Sequence, residues 1–536
     1  MLVKDLIIKQ LETFGVKHIY NYPGDTTLSF LSSLKNSNIK LFSTKHEGAA
    51  GLMASAEAKL TDNISVCLSH SGPGTANILN GIADAASDRV PVLLISGQVE
   101  TYNIGTNYKQ FINQIELTNP LTVYSVILIN PETTVDILYK AFTMAIAKGG
   151  VSHVIIPIDL WDMESSAVCR EYPEHLNIKK IPDTNLINKA ADMMKNSKSP
   201  VIIYGRGCRG LASELCEIAE KISAPLISTL PAAGIVDYGF PFEMGILGHS
   251  GNQYASELLD ESDLIIKLAA TWWPIDYTPR QANIVQFDTA VENIGASHPV
   301  TLGIPGDIKM SLSKLLKLLK DLSKKSNQQW EEKITDIKEK WIAEVNQGYS
   351  ESKWPLPPSQ VIKTFSKLCT ENDIISLDSG DNVIFFGKFF GNKCLDVLVS
   401  GTWRTMGFSL PAALTAKINN PESNSIAITG DGGLTMVMNE LLTARRYNIP
   451  ITILVLNNGN LAMEKNRMIE AGLAPEEVEL TNPDFIMLAE SCGIKGIRVD
   501  SVKALEKAIK QSRNSNTAIL IDIPVDSPII PGTKLM

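Results

Sequence analysis

The feature that most limits how this chain can fold lies at residues 426–460. Two short apolar runs, 425–429 and 451–456, read as strands buried on both faces of a parallel sheet. Each breaks at once into small or polar residues: Gly430-Asp431-Gly432-Gly433 after the first, Asn457-Asn458-Gly459-Asn460 after the second. Residues 434–447 have helix-forming composition and fit the crossover helix that a parallel pair requires, so the whole reads as a βαβ unit. Ligands of open α/β sheets bind beyond the carboxyl ends of the strands. The unit therefore aims one carboxylate, Asp431, and one side-chain amide, Asn458, at one spot. That pairing suits Mg2+ with a phosphate, because this ion takes an octahedral shell of oxygens from one or two carboxylates and phosphate groups. The glycines let backbone N–H groups approach the phosphates, and the helix that follows offers its N-terminus.

Gly430-Asp431-Gly432, a spacer of 24 residues and Asn457-Asn458 resemble the thiamine-diphosphate signature of the pyruvate oxidase, acetolactate synthase and pyruvate decarboxylase superfamily. The resemblance covers nearly the whole chain and is nearest to the pyruvate oxidases. It implies that Asp431, the Asn458 side chain and the Asn460 carbonyl hold Mg2+ on the cofactor's diphosphate. Gly430, Gly432, Gly433 and Leu461 would line the same cofactor.

A chain of 536 residues is too long for one core and suggests three or four domains. Its net charge of −9 gives no electrostatic reason to expect nucleic acid or an anionic membrane as partner. The seven cysteines are scattered without a CxxC pair, which suggests neither disulfides nor zinc and fits a reducing, cytoplasmic setting. Near the N-terminus, Val3, Leu6, Ile7, Leu11 and Phe14 have the spacing of an amphipathic helix, not of a signal peptide or an anchor. No run of 18 apolar residues occurs, so no membrane-spanning helix is expected.

The resemblance implies three doubly wound α/β domains with parallel sheets. These are a pyrimidine-binding domain at 1–165, a central FAD/nucleotide-type domain at 185–322 and a diphosphate-binding domain at 355–530. Residues 163–185 lose periodicity and read as a linker; 323–354 are charged and read as a solvated connector.

In the first domain, Glu47 precedes a helix rich in small residues. Taken alone, it is a carboxylate favoured by the helix dipole. However, His46-Glu47-Gly48-Ala49, Ala58-Lys59-Leu60-Thr61, Gly72-Pro73-Gly74, Asn80-Gly81 and Pro91-Val92-Leu93 resemble the first domain of pyruvate oxidases and acetolactate synthases. By that likeness Glu47 hydrogen-bonds N1′ of the aminopyrimidine and exchanges a proton with it, with Pro73 and Asn77 beside the cofactor. Gly105-Thr-Asn-Tyr-Lys109-Gln110 resembles a loop over the active centre in which Gln110 serves catalysis. Lys109 stands where an aromatic is usual and reads either as a solvated charge or as a contact for an anionic substrate.

The middle region offers Gly205-Arg-Gly207 after a strand, Gly245-Ile-Leu-Gly248-His249, Ala270-Thr271-Trp272-Trp273-Pro274 and a strand ending in Asp288. Gly-Arg-Gly alone is a weak nucleotide signal. The region resembles the pyruvate oxidase middle domain, which binds FAD, and this implies flavin contacts at Gly205, Gly207, Gly248, Thr271 and Asp288. Ala270-Thr271 replaces the usual Gly-Thr, and related middle domains exist without flavin, so both readings stay open.

In the last domain, Asp378-Ser379-Gly380-Asp381 faces the same mouth as Asp431. Gly401-Thr-Trp-Arg-Thr405-Met406-Gly-Phe-Ser-Leu-Pro411 resembles the family's Gly-Thr-Met-Gly-x-Gly-Leu-Pro, which implies that Met406 wedges the cofactor into its bent shape beside Thr405. Arg467 falls near the position of a usual glutamate; it reads as a clamp for a substrate carboxylate or as an exposed helix arginine. The short tail after Val525 lacks the amphipathic helix of a membrane-activated relative.

The implied activity is decarboxylation of a 2-oxo acid, pyruvate foremost, with oxidation of the resulting enamine through FAD. The alternatives are acetolactate synthase-type joining of two 2-oxo acids and a non-catalytic ligand-binding relative. By resemblance, Glu47 of one subunit meets Asp431 and Asn458 of another, which implies a homodimer or homotetramer.

Overall fold

The apolar runs become the strands of parallel sheets in the computed structural model, which describes residues 1–172, 179–248, 250–271, 279, 281–320, 327–346 and 353–529. The first unit holds β1 His18–Asn21, β2 Lys40–Ser43, β3 Ser65–Ser69, β4 Val92–Gln98, β5 Thr122–Ile127 and β6 Val151–Pro157, paired in the order β2-β1-β3-β4-β6-β5. The middle unit holds β7 Pro200–Tyr204, β8 Leu226–Ser228, β9 Glu243–Ile246, β10 Leu264–Leu268, β11 Asn283–Asp288 and β12 Leu302–Pro305, in the order β12-β11-β10-β7-β8-β9. The last holds β13 Asp373–Leu377, β14 Asp396–Val399, β15 Asn424–Gly430, β16 Thr452–Asn457, β17 Lys495–Arg498 and β18 Ile519–Pro524, in the order β14-β13-β15-β16-β18-β17. Every pairing is parallel, as the buried apolar runs require.

The first and last sheets repeat one strand pattern, with the order reversing between β1 and β3 and between β13 and β15. The middle sheet, counted from its own first strand, runs 3-2-1-4-5-6, the order of dinucleotide folds, and reverses between β7 and β10. Three crevices at carboxyl strand ends are thereby built into the backbone, one per unit.

The units are fastened to one another by side chains. Arg209 of the middle unit donates to Asp62 and to the Leu60 carbonyl of the first unit, and to Asp396 of the last. The helices Glu47–Thr61 and Pro73–Ser87 cross so closely that a Cβ on Gly81 would lie 2.5 Å from the Gly51 backbone. At the N-terminus the expected helix forms over Val3–Thr13 and buries Val3, Leu6, Ile7 and Leu11.

Two expectations are corrected. The crossover between β15 and β16 is not one helix over 434–447: it starts at Asp431–Val437, tightens into a 3-10 turn at Met438–Glu440 and resumes at Leu441–Arg446. At that turn Glu440 swings inward, and its carboxylate accepts the Lys45 amide of the first unit at 3.0 Å. Nor is the charged connector wholly solvated. Its helix Gln328–Asn346 buries Trp330, Ile334, Ile337 and Trp341, and the first three join a cluster with Val201, Ile203 and Met244 of the middle unit. High charge content conceals an apolar stripe at helical spacing. His249, Trp272-Trp273-Pro274 and connector residues 323–326 and 347–352 lie outside the described residues.

Candidate active site

The mouth of the last sheet gathers loops from neighbouring strand ends. Asp431, directly after β15, is 2% exposed. Its Oδ1 accepts the Gly432 amide at 3.0 Å, and its Oδ2 accepts the Gly459 amide and the Asn482 side-chain amide, each at 2.7 Å. Burial raises its pKa above the ordinary carboxylate value, and these bonds limit the rise. On the loop after β16, Asn458 Oδ1 accepts the Asn460 amide at 3.0 Å, and Lys465 Nζ donates to Asn460 Oδ1 at 3.1 Å. Gly432 is closely packed: a Cβ on it would sit 3.1–3.2 Å from the side-chain ends of Leu461, Leu480 and Met406. The Met406 turn is held by Asp378, fully buried after β13, whose carboxylate accepts the Gly407 and Ser409 amides and the Ser409 hydroxyl at 2.8–3.1 Å.

A cavity of about 1510 Å³ joins this mouth to the middle unit. Asp431, Asn458, Asn460, Leu461, Met406, Arg404, Arg467 and Asp381 line one part; Gly207, Gly248, Thr271 and Asp288 line the other. At the β7/β10 crevice, Gly205 donates to the Leu268 carbonyl at 2.8 Å, and a Cβ on it would lie 2.0 Å from the Ala269 carbonyl oxygen. Glycine is thus needed there for the two strand ends to meet. Ala270 belongs to the apolar cluster that contains Val201 and Ile203. Asp288 is 3% exposed; its Oδ1 accepts the Ala290 amide and Asn293 Nδ2 at 2.9–3.0 Å, whereas its buried Oδ2 has no hydrogen-bond partner. Asp288 lines the cavity, and a buried carboxylate oxygen without a partner calls for an explanation, such as a ligand group.

Glu47 sits elsewhere. It opens the helix Glu47–Thr61 behind the His46 cap, is 7% exposed, and accepts Asn77 Nδ2 at 3.0 Å on Oε2. A Cβ on Gly74, beside Pro73, would lie 3.2 Å from its Oε1. Gln110, at φ +61°, bonds His70 Nε2 through Oε1 at 3.2 Å, and its neighbour Lys109 is exposed. Glu47, Pro73, Asn77, Lys109 and Gln110 do not line the large cavity, although the other end of the Glu47 helix does, through Ala58, Lys59 and Asp62. Thr405 is reached from the first unit: Asn80 Nδ2 donates to its Oγ1 at 2.9 Å.

Residues 1–117 match the thiamine pyrophosphate enzyme N-terminal TPP binding domain, 187–315 the central domain and 378–523 the C-terminal TPP binding domain. A putative thiamine pyrophosphate-containing protein, YdaP of Bacillus subtilis, is 34% identical over 97% of this chain and 91% of its own. This chain belongs to the thiamine pyrophosphate enzymes. A probable acetolactate synthase large subunit of Methanocaldococcus jannaschii is 33% identical over 98% of this chain and 93% of its own. The pyruvate oxidase of Lactiplantibacillus plantarum is 27% identical over 99% and 89%.

For a thiamine pyrophosphate enzyme the oxygens at the mouth fit a hard cation: one carboxylate, one side-chain amide and one backbone carbonyl, with a phosphate to complete them. Among the described residues no cluster of three or more His, Cys, Asp or Glu side chains is present, and Asp431 lines the cavity together with Asn458 and Asn460. Three contributors escape a reading of the sequence: Asn482, which orients Asp431 from 51 residues away; Asn80, which braces Thr405; and Arg404, which enters the cavity. Among the described residues no helix is long and apolar enough to cross a membrane.

Proposed function

We infer that this thiamine pyrophosphate enzyme decarboxylates a 2-oxo acid, with the cofactor's diphosphate on Mg2+ held by Asp431, Asn458 and Asn460, and passes the electrons to FAD in the middle domain. The observation that carries this reading is the single cavity, which runs from Asp431 and Asn458 to Gly248 and Asp288. Pyruvate is the first substrate to test.

When bound, thiamine diphosphate supplies the nucleophilic carbon and electron sink through which the carboxylate leaves as carbon dioxide. The chain's own residues do the rest. Glu47 exchanges a proton with the aminopyrimidine N1′; Asn77 ties down Oε2 and leaves Oε1 for that bond. Asn482 and the Gly459 amide fix the Asp431 carboxylate for the metal. Met406, packed over Gly432, sets the shape of the cofactor seat. Because the Glu47 group lies off the cavity, it is best read as completing the site of a second copy in a homodimer or homotetramer.

A second reading, carboligation to acetolactate, is favoured by the relatives: the probable acetolactate synthase is 33% identical and the pyruvate oxidase 27%. Anaerobic mixing of the protein, thiamine diphosphate, Mg2+ and FAD with pyruvate separates the two. Bleaching of the flavin supports the oxidase; an oxidised flavin with accumulating acetolactate supports the synthase. Bound thiamine diphosphate with no carbon dioxide from any 2-oxo acid would overturn both and favour a ligand-binding relative.

A further inference from the structure

We propose that Arg404 and Arg467 form a receptor for a second carboxylate on the substrate, so that the enzyme selects dicarboxylic 2-oxo acids. The proposal rests on the decarboxylation reading above and names the substrate class within it.

The two arginines reach one cavity from opposite sides of the sheet's switch point. Arg404 lies on the loop after β14, and Arg467 on the helix Ala462–Glu470 after β16; β13 and β15, whose loops carry Asp381 and Asp431, lie between those strands. Met406 and Asn458 line the same space. The reacting end of a 2-oxo acid must lie at the cofactor, near Met406 and the metal ligands. A distal carboxylate on that acid then has two guanidinium groups within the same cavity to receive it, and the planar fork of each matches a carboxylate.

The backbone of Arg404 supports a specific role. Its φ of +54° is a left-handed conformation that a long side chain rarely adopts. Both of its neighbours are pinned by one residue of the first domain: Trp403 Nε1 donates to Asn80 Oδ1, and Asn80 Nδ2 donates to Thr405 Oγ1, each at 2.9 Å. A strained residue held by its surroundings is a common mark of a functional site.

Electrostatics agree with the geometry. Burial, then the charge of Arg467, lowers the pKa of Arg404, so the two cations sense each other across the cavity. An anion between them adds to the attraction that Glu464 and Asp381 already exert on Arg467. Arg467 has a partner in Glu464, but at 3.6 Å, with the two side chains 46% and 56% exposed, the pair is weak. Across the mouth, burial pushes Asp381 up to about 6 against the pull of Arg467.

The test compares 2-oxoglutarate with 2-oxopentanoate, which share a chain length and differ by a carboxylate in place of a methyl group. Carbon dioxide release gives kcat/KM for each, and equilibrium binding to the enzyme loaded with thiamine diphosphate and Mg2+ gives selectivity without turnover. Wild type is expected to favour 2-oxoglutarate. Arg467→Gln and Arg404→Gly are each expected to cut that preference about tenfold or more, the size of one lost charged hydrogen-bonding group. Glycine suits the left-handed position, so Arg404→Gly introduces no backbone strain there. Equal handling of the two acids by wild type, or a preference untouched in both variants, would overturn the proposal. So would variants that weaken thiamine diphosphate binding while leaving the preference intact, since the arginines would then serve the diphosphate. If neither acid is decarboxylated, an arginine-dependent binding preference upholds the receptor while the decarboxylation reading falls.

Discussion

Lys59 Nζ lies 2.6 Å from Asp84 Oδ2, and both side chains are almost wholly removed from solvent. The same ammonium donates to the Val399 carbonyl of the C-terminal domain at 2.9 Å and sits 4.6 Å from the centre of the Phe408 ring. One buried cation therefore serves two domains. Lys59→Met leaves Asp84 buried without a counter-charge, with the Ser55 hydroxyl still donating to it, and is expected to destabilise the protein by about 3–5 kcal/mol in chemical denaturation. A variant as stable as the parent would show that the pair is dispensable.

Asn482 donates to Asp431, the carboxylate inferred to hold the metal. Asn482→Ala frees one bond on Oδ2 and is expected to weaken Mg2+-dependent thiamine diphosphate binding by about 10- to 100-fold, with little change in unfolding temperature. Fluorescence titration of the cofactor at fixed Mg2+ reads it directly. Unchanged affinity would remove Asn482 from the metal's support.

Glu47→Gln keeps the size of the side chain and removes its ability to exchange a proton. Turnover is expected to fall by about 10²- to 10⁴-fold while the cofactor still binds. Refolding Glu47→Gln together with Asp431→Asn should restore activity if each site draws on two copies. Mixed subunits that remain inactive would place both residues in one copy's site.

Asp288 carries a buried oxygen without a partner. Asp288→Ala is expected to lower FAD affinity about tenfold or more while leaving thiamine diphosphate binding alone. Equal flavin retention by variant and parent would detach Asp288 from the flavin.

The pH dependence of stability has a defined sign. Burial pushes Glu243 up to about 8 and Glu440 up to about 7, both from an ordinary value of 4.5. Between 4.5 and those values the folded protein keeps protons that the unfolded chain has released. Stability from these groups is therefore full below pH 4.5 and is lost as pH rises toward 8, with a slope of up to about 1.4 kcal/mol per pH unit for each. Melting curves from pH 5 to 8 should show the decline, and Glu243→Gln and Glu440→Gln should each flatten it. An unaltered slope in both variants would assign the decline to other groups.

Much of this architecture is legible in the sequence because it rests on local rules. The run 425–429, ending in Gly430-Asp431, announces a buried strand and its ligand-facing end, and β15 forms over Asn424–Gly430. The break in the following helix is not legible, since Met438–Glu440 has ordinary helical composition and bends so that Glu440 can reach Lys45 in another domain. Asn482 and Arg404 were hidden for a related reason. The first acts across 51 residues, and the second gains its position from a left-handed backbone that Asn80 holds from outside the loop. Lys109 and Arg467 looked alike as pocket charges, yet only Arg467 lines the large cavity; chain direction after a strand end is local, whereas the course of a loop is not.

Arg209 sets a limit on how this protein can be rebuilt. Its guanidinium, on the middle domain, answers Asp62 on one neighbour and Asp396 on the other, and Asp396 is 7% exposed. A middle domain borrowed from a relative without an arginine there would strand a buried carboxylate in the C-terminal domain. Recombining domains across the family should therefore succeed when Asp62, Arg209 and Asp396 travel as a set, and chimeras that separate them should fail in assembly before they fail in chemistry.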